Sequence, residues 1–191
     1  MRWITDLTYK IECRAAEAGT IYQLASQYYK DIIKKEVVLA SITGNDHILC
    51  IGGGICPFSA IIFHQTTGAK VTVIDNNMAC IPKAKEIIDR LSIGNFVHVL
   101  YQDGGSKDVD LTAYSVVHLA LQVTPMDYVF SQVERQVLPG AKLLIRRPKQ
   151  ALGGMYSKMS NPQLAGCPYV AHKSRNIGST LLYIKQDQKA S

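Results

Sequence analysis

A short apolar run that ends in three consecutive glycines constrains this chain more than any other feature. Residues 47–51 read His-Ile-Leu-Cys-Ile, and Gly52, Gly53 and Gly54 follow directly. Because glycine lacks a Cβ atom, the backbone can turn sharply here and pass close beneath a ligand. A helix is expected just after the glycines, where its free N–H groups suit an anionic group. The segment therefore predicts a strand, a ligand-binding loop and a helix.

Two residues near this loop indicate which class of ligand it binds. A second apolar strand, predicted over 70–74, ends at Asp75, whose carboxylate suits two ribose hydroxyls. Asn76 follows it and is included among the cofactor-binding candidates, although both side chains would also suit a helix cap. A dinucleotide-binding loop has glycine where this chain has Pro57, and proline instead begins a helix with its φ already fixed. This departure favours S-adenosylmethionine over NAD.

The rest of the chain alternates strands with helices. A helix is predicted from Met78 to Leu91, and further apolar strands are predicted over 96–100, 115–120 and 142–146. Two short runs, 169–171 and 180–184, flank Asn176-Ile177-Gly178 and indicate an antiparallel hairpin. The pattern predicts an α/β fold: a Rossmann-like, mainly parallel seven-stranded sheet with a C-terminal antiparallel hairpin, similar to class I methyltransferases.

The residues before the first strand have helical periodicity. Apolar residues recur at helical spacing between Glu12 and Ser41, and Gly19-Thr20 suggests a break between two helices. We therefore divide the chain into a short N-terminal helical segment, residues 1–44, and a cofactor-binding domain, residues 45–191.

Composition excludes several classes of protein. The 191 residues are 47% hydrophobic, which suits one compact domain with a core. The net charge is +6, but the basic residues are scattered, so no nucleic-acid surface is predicted. Residues 1–6 lack a signal-peptide block, no run is long enough to cross a bilayer, and a cytoplasmic protein is expected. The odd number and the spacing of the cysteines argue against metal sites and disulfides; they are Cys13, Cys50, Cys56, Cys80 and Cys167.

Further candidate residues follow the later strands. Asp103-Gly104 comes after the third strand, where this class of domain holds an adenine, although such a turn also forms without a ligand. Ala120 ends the fourth strand at the expected edge of the site. His118, within that strand, is interpreted as a core histidine whose ring is hydrogen-bonded to the backbone. Glu36 lies on the helical segment, where a solvated helix face is the simpler interpretation.

Several segments together resemble nicotianamine synthase and its bacterial and archaeal relatives, the opine-metallophore synthases. The similarity runs through most of the chain and is carried by residues 51–59, 116–121 and 138–146. Tyr28-Tyr29 with Glu36 resembles the helix from which that family takes a catalytic carboxylate. The resemblance implies that Glu36 and Tyr29 act in catalysis.

The same resemblance implies roles for two later residues and also has departures. Arg146 ends the Pro-Gly-Ala strand of the family pattern and Tyr156 follows it, which implies that they hold a substrate carboxylate. The family continues after the arginine with a small polar residue, a glycine and a second arginine, where this chain has Arg147-Pro148-Lys149. The N-terminal region is also shorter than that of many relatives.

The leading hypothesis is an S-adenosylmethionine-dependent transferase that moves the aminocarboxypropyl group to an amine and releases methylthioadenosine. The alternatives are a small-molecule methyltransferase, a non-catalytic cofactor-binding protein and an NAD-dependent dehydrogenase, the last disfavoured by Pro57. The expected partners are a small-molecule amine or amino-acid acceptor and, in a homodimer, a second copy of the chain.

Overall fold

The structure is a computed structural model that describes residues 19–187, with side chains from Gln27 onward. Cys13 and the predicted helix before Gly19 lie outside the described residues. The helices are α1 (Gly19–Ala40), α2 (Phe58–Thr67), α3 (Ile81–Arg90) and α4 (Met126–Gln136). The strands are β1 (His47–Ile51), β2 (Lys70–Asp75), β3 (Val97–Tyr101), β4 (Val116–Leu119), β5 (Lys142–Pro148), β6 (Tyr169–Ala171) and β7 (Ile177–Ile184). Short 3-10 turns lie at Met78–Cys80, Gln150–Met155 and Pro162–Leu164.

The seven strands form one sheet in the order β3-β2-β1-β4-β5-β7-β6. The first five pair in parallel, and β7 runs antiparallel to both β5 and β6. This is the predicted Rossmann-like arrangement with an antiparallel C-terminal pair, so the predicted fold class is confirmed. Because the chain reverses its direction of winding between β1 and β4, the carboxyl ends of these two strands flank a crevice.

Each face of the sheet is covered by helices. On one face Ile33 of α1 and Phe63 of α2 pack over Cys50, Leu144 and Leu182 of the sheet. On the other face, α4 packs over residues of β1, β4 and β5; its buried apolar side chains are Met126, Val129, Phe130 and Val133. Alternate residues of a strand point to opposite faces, so the side chains of β4 divide between these two layers.

The N-terminal helix α1 belongs to the first layer. Ile33 is fully buried among the residues beneath α2, and Ile32 packs against Leu121 and Ile177 near the end of β4 and the start of β7. The helix therefore crosses the sheet near the carboxyl ends of the central strands. The division of the chain at residue 44 stays a prediction.

The predicted strands agree with the observed ones to within a few residues, except at the hairpin. The turn predicted at Asn176-Ile177-Gly178 is wrong, because β7 already begins at Ile177 and pairs Pro148 with it. Ser174 instead makes the turn: its Oγ donates to the Ile177 carbonyl at 2.7 Å and accepts from the Ile177 N–H at 3.1 Å. The helix α4 had no counterpart in the sequence prediction, although its apolar residues recur at helical spacing.

Candidate functional site

A cleft opens at the carboxyl ends of β1, β2 and β4, at the place where the strand order reverses. Its lining includes all nine residues predicted to bind a cofactor: Gly52, Gly53, Gly54, Pro57, Asp75, Asn76, Asp103, Gly104 and Ala120. Open α/β sheets bind ligands at this position because loops from both directions of winding meet there. The structure therefore brings together residues that are spread over about seventy positions of sequence.

The glycine loop has a backbone that other residues would not adopt easily. Gly52 and Gly54 have φ angles of +86° and +63°, in the left-handed region that glycine tolerates. Gly53 lies so close to Val73 that a Cβ atom would collide with that side chain. The Gly52 N–H donates to the Ile74 carbonyl at 2.9 Å, which ties the loop to β2. Each of the three positions therefore requires glycine, two because of their φ angles and one because of its contact with Val73.

Asp75 holds the loop and also faces the cleft. One carboxylate oxygen accepts a hydrogen bond from the Gly54 N–H at 2.7 Å, and the other accepts from the Asn77 N–H at 2.9 Å. Each carboxylate oxygen can accept more than one hydrogen bond, so ribose hydroxyls can still be bound. Asp75 can therefore accept hydrogen bonds from the backbone, as a capping residue does, and still bind a ribose as predicted.

The opposite wall of the cleft is formed after β3. Gly104 packs against Ile51, and a Cβ atom at this position would collide with the isoleucine side chain. The Asp103 carboxylate accepts from the Gly105 N–H at 3.0 Å and so stabilises the turn. Gly53 and Gly104 let the loop backbones pack directly on Val73 and Ile51, so no side chain projects into the cleft at these two positions. Pro57 immediately precedes α2. The residues present thus fit S-adenosylmethionine.

A buried ion pair lies at the base of this cleft. Arg146 of β5 donates from Nε to Glu36 Oε1 at 2.8 Å and from Nη2 to Glu36 Oε2 at 2.9 Å. Its Nη1 donates to Ser59 Oγ at 2.9 Å. Thr180 of β7, the register partner of Arg146, donates its hydroxyl proton to Glu36 Oε1 at 2.6 Å. The carboxylate therefore has partners from β5 and β7.

The charges of this pair stabilise each other. Burial raises the pKa of Glu36, but the charge of Arg146 and hydrogen bonds from Arg146 and Thr180 together bring it below its ordinary value. Burial lowers the pKa of Arg146, but the Glu36 charge and hydrogen bonds raise it overall. Both groups are therefore ionised at neutral pH. Such a pair is costly to break, because either partner alone would be an unpaired buried charge.

The two predicted catalytic residues, Glu36 and Tyr29, lie at different depths in the site. Glu36 is completely buried, so it is not the solvated residue of the simpler interpretation. It lies behind Arg146 and His118, which both line the cleft. The Arg146 face predicted to hold a substrate carboxylate is occupied by Glu36 in this structure. Tyr29 lines the cleft, stacks on Phe58 with ring centroids 5.5 Å apart, and lies 5.6 Å below the Arg146 guanidinium carbon.

Tyr156 is placed at the margin of the site. It packs against the cluster of Ile32, Leu121 and Ile177, of which Leu121 and Ile177 line the cleft. It follows the 3-10 turn Gln150–Met155, in the segment where the chain departs from the family pattern. The role predicted for Tyr156 at a substrate carboxylate stays a prediction.

The sequence analysis missed Thr180 and Ser59 as residues of this site and assigned His118 only to the core. Thr180 begins the apolar run predicted over 180–184, and nothing in that run marks its hydroxyl as part of a site. Since Thr180 donates to Glu36, His172 Nε2 must be the donor in its 2.8 Å contact with Thr180 Oγ1. Ser59 lies in the predicted loop segment, but its partner Arg146 comes from a distant strand. The backbone pairing predicted for His118 is wrong, because neither ring nitrogen has a partner within the described residues.

Among the described residues, no helix is both long and apolar enough to span a bilayer. No group of metal-ligating side chains with the geometry of an ion site occurs in the range 19–187 either.

The fold is similar to that of solved S-adenosylmethionine-dependent enzymes. A glutamate-to-glutamine variant of MtNAS, a nicotianamine synthase, in complex with S-adenosylmethionine superposes with a TM-score of 0.80 at 18% identity, over 97% of this chain and 76% of that one. MtNAS in complex with MTA and tNA gives a TM-score of 0.78 at 19% identity, over 97% and 74% of the two chains.

A second kind of enzyme shares the fold. An RNA methyltransferase from Salinibacter ruber in complex with S-adenosyl-L-homocysteine matches with a TM-score of 0.66 at 15% identity, over 84% of this chain and 94% of that one. No protein-family model matches the chain, and no curated protein matches it. The chain therefore has the class I methyltransferase-like fold, and its predicted structural similarity to nicotianamine synthase is confirmed.

Proposed function

We propose that this protein is an S-adenosylmethionine-dependent transferase. The observation that carries the proposal is the cleft between β1 and β4, where nine predicted cofactor residues line one cavity and two of them, Gly53 and Gly104, have no room for a side chain. Solved structures of the same fold contain S-adenosylmethionine or S-adenosyl-L-homocysteine, which supports this choice of cofactor. Asp75 would hold the ribose, and Asp103 with Gly104 would flank the adenine.

The finer proposal is transfer of the aminocarboxypropyl group to the nitrogen of an amine. The sulfonium of the cofactor makes three attached carbons electrophilic, and the position of the acceptor decides which one reacts. The acceptor must lose one proton before its lone pair forms the new C–N bond, while the C–S bond breaks with its electrons going to sulfur. The similarity to MtNAS and the Tyr29–Glu36 helix at the base of the cleft support this choice.

The protein's own residues would orient the acceptor. Glu36 supplies a buried negative charge near the acceptor, and Arg146 keeps that carboxylate ionised. The predicted use of Glu36 as a general base requires the acceptor to displace part of the Glu36–Arg146 contact, because Glu36 is completely buried and Arg146 binds both of its carboxylate oxygens. The ring of Tyr29 offers an aromatic face for a cationic amine.

The deciding experiment identifies the nucleoside that is released. The purified protein is incubated with S-adenosylmethionine and a panel of amino acids and other carboxylated amines, and the products are separated by mass spectrometry. Methylthioadenosine with an enlarged acceptor is the expected result. Release of S-adenosylhomocysteine with a methylated acceptor would overturn the finer proposal.

Methyl transfer is the second candidate, and the specific observation in its favour is the fold shared with the Salinibacter ruber methyltransferase over 84% of this chain. Titration calorimetry separates the remaining alternatives. Binding of S-adenosylmethionine without turnover of any acceptor would favour a non-catalytic protein, and micromolar binding of NAD would favour a dehydrogenase.

A further inference from the structure

His118 is the most unusual polar residue of the described structure. It lies on β4 with its side chain completely buried, and neither ring nitrogen has a hydrogen-bond partner within the described residues. Buried polar groups are nearly always paired, because an unpaired one loses its hydrogen bonds to water without replacement. The residue nevertheless borders the cleft, and a molecule bound there would have to displace neighbouring side chains to reach the ring.

The surroundings of His118 determine its charge and its tautomer. Burial, and then the charge of Arg146, lower the pKa of the ring to about 3, so the imidazole is neutral at physiological pH. Its Nε2 lies 3.8 Å from Glu36 Oε2, which is an acceptor only. The neutral ring therefore favours a proton on Nε2, and the lone pair of Nδ1 is left to accept a hydrogen bond.

We propose that His118 accepts a hydrogen bond from the amine of the acceptor substrate and so orients its nitrogen in the cleft. This inference rests on the proposed function and adds a residue to it. A neutral acceptor beside the Glu36 carboxylate suits an N–H donor and disfavours a carboxylate, so it recognises the amine end of the substrate. His118 would thus add a second contact at the acceptor nitrogen, beside the Glu36 carboxylate that lies 3.8 Å from its Nε2.

The position of His118 on the sheet agrees with this role. Its register partners are Cys50 on β1 and Leu144 on β5, so it occupies the middle of the sheet on the face covered by α1 and α2. The ring makes an edge contact with Phe63, with centroids 5.5 Å apart. Packing on a buried aromatic residue limits rotation of the imidazole, which keeps a single direction for the hydrogen bond.

The kinetic test compares substitutions at two histidines. His118→Phe should raise KM for the best amino-acid acceptor about tenfold or more, the size of one lost hydrogen bond to a buried group, while KM for S-adenosylmethionine changes less than about twofold. His118→Asn restores a side-chain acceptor and should recover part of the loss. His98→Phe, at an exposed position of β3, is the matched control. Equal KM values for wild type and His118→Phe would overturn the proposal.

A second measurement does not depend on turnover. In protein labelled with ¹⁵N-histidine, the His118 signals, assigned by their loss in His118→Phe, should report the neutral Nε2–H tautomer. Adding the same amino acid should shift the Nδ1 signal, whereas the matching carboxylic acid without the amine should not. An unchanged Nδ1 signal, or a crystal structure with only an ordered water on the ring, would overturn the inference. Absence of any transferred product would instead count against the proposed function.

Discussion

The two ends of the cleft are built in different ways. At the glycine loop, Gly52, Gly53 and Gly54 follow one another, and their hydrogen bonds reach only the neighbouring strand β2. At the base, Glu36 comes from α1, Arg146 from β5 and Thr180 from β7, so residues up to 144 positions apart meet around one carboxylate. One end is local and made mainly of backbone, and the other is long-range and made of charged side chains.

This difference predicts which substitutions change only ligand binding and which also change the stability of the fold. A substitution at the glycine loop can change ligand affinity without leaving a buried charge unpaired, because the polar groups of the loop are backbone N–H groups. The buried pair at the base cannot lose one member without leaving the other charged and dry. Removing a polar side chain at the loop, such as that of Asp75, is therefore expected to change mainly binding, and substitutions at the base are expected to change folding as well.

The largest expected effect is at Arg146. Arg146→Met fills a similar volume but leaves Glu36 as an unpaired buried carboxylate, so the free energy of unfolding should fall by about 3–5 kcal/mol. Denaturant unfolding followed by circular dichroism measures this change. The double variant Glu36→Leu with Arg146→Met removes both charges and should be more stable than the single one. A double variant no more stable than the single one would show that the pair is not the cause.

The second effect is the dependence of stability on pH. The pKa of His118 is lowered from 6.5 to about 3 by burial and the Arg146 charge, so the unfolded state binds the proton more readily. The stability that the neutral ring contributes is complete above pH 6.5 and is lost toward pH 3, at up to about 1.4 kcal/mol per pH unit. Between pH 6 and pH 4, His118→Phe should have a flatter curve of unfolding free energy than wild type. Curves of equal slope would contradict this.

The third effect concerns turnover. If Glu36 takes the proton from the acceptor, Glu36→Gln should lower kcat about a hundredfold, as expected for the loss of a general base. Affinity for S-adenosylmethionine should change little, because the predicted cofactor residues lie at the other end of the cleft. The unfolding free energy of the same variant is the control for structural damage. Near-normal turnover would assign Glu36 a structural role as the partner of Arg146.

How well each end could be predicted follows from the same distinction. The glycine loop, Asp75 and the positions of most strands along the chain are local patterns, and each is predicted from a few neighbouring residues. The Glu36–Arg146 pair depends on how α1 crosses the sheet, which a local pattern does not encode. The sequence predicts separate roles for Glu36 and Arg146, and they meet only because α1 packs over the point where Arg146 pairs with Thr180. The turn at 176–178 failed because Gly178 suggested a turn but lies within β7.

The smallest effect, at Asp75, tests the local end. Asp75→Ala removes the acceptor for the Gly54 N–H and the predicted partner of the ribose, so the affinity for S-adenosylmethionine should fall by about 1–3 kcal/mol. Asp75→Asn keeps a carbonyl oxygen and should lose less. Calorimetric titration gives the affinity, and thermal unfolding without cofactor gives the stability. If Asp75→Ala lost as much stability as Arg146→Met, the loop would stabilise the fold as much as the buried pair does. The proposed contrast between the two ends of the cleft would then be wrong. If affinity stayed unchanged in a folded variant, the ribose assignment would be wrong, and Asp75 would serve only to hold Gly54 in its left-handed conformation.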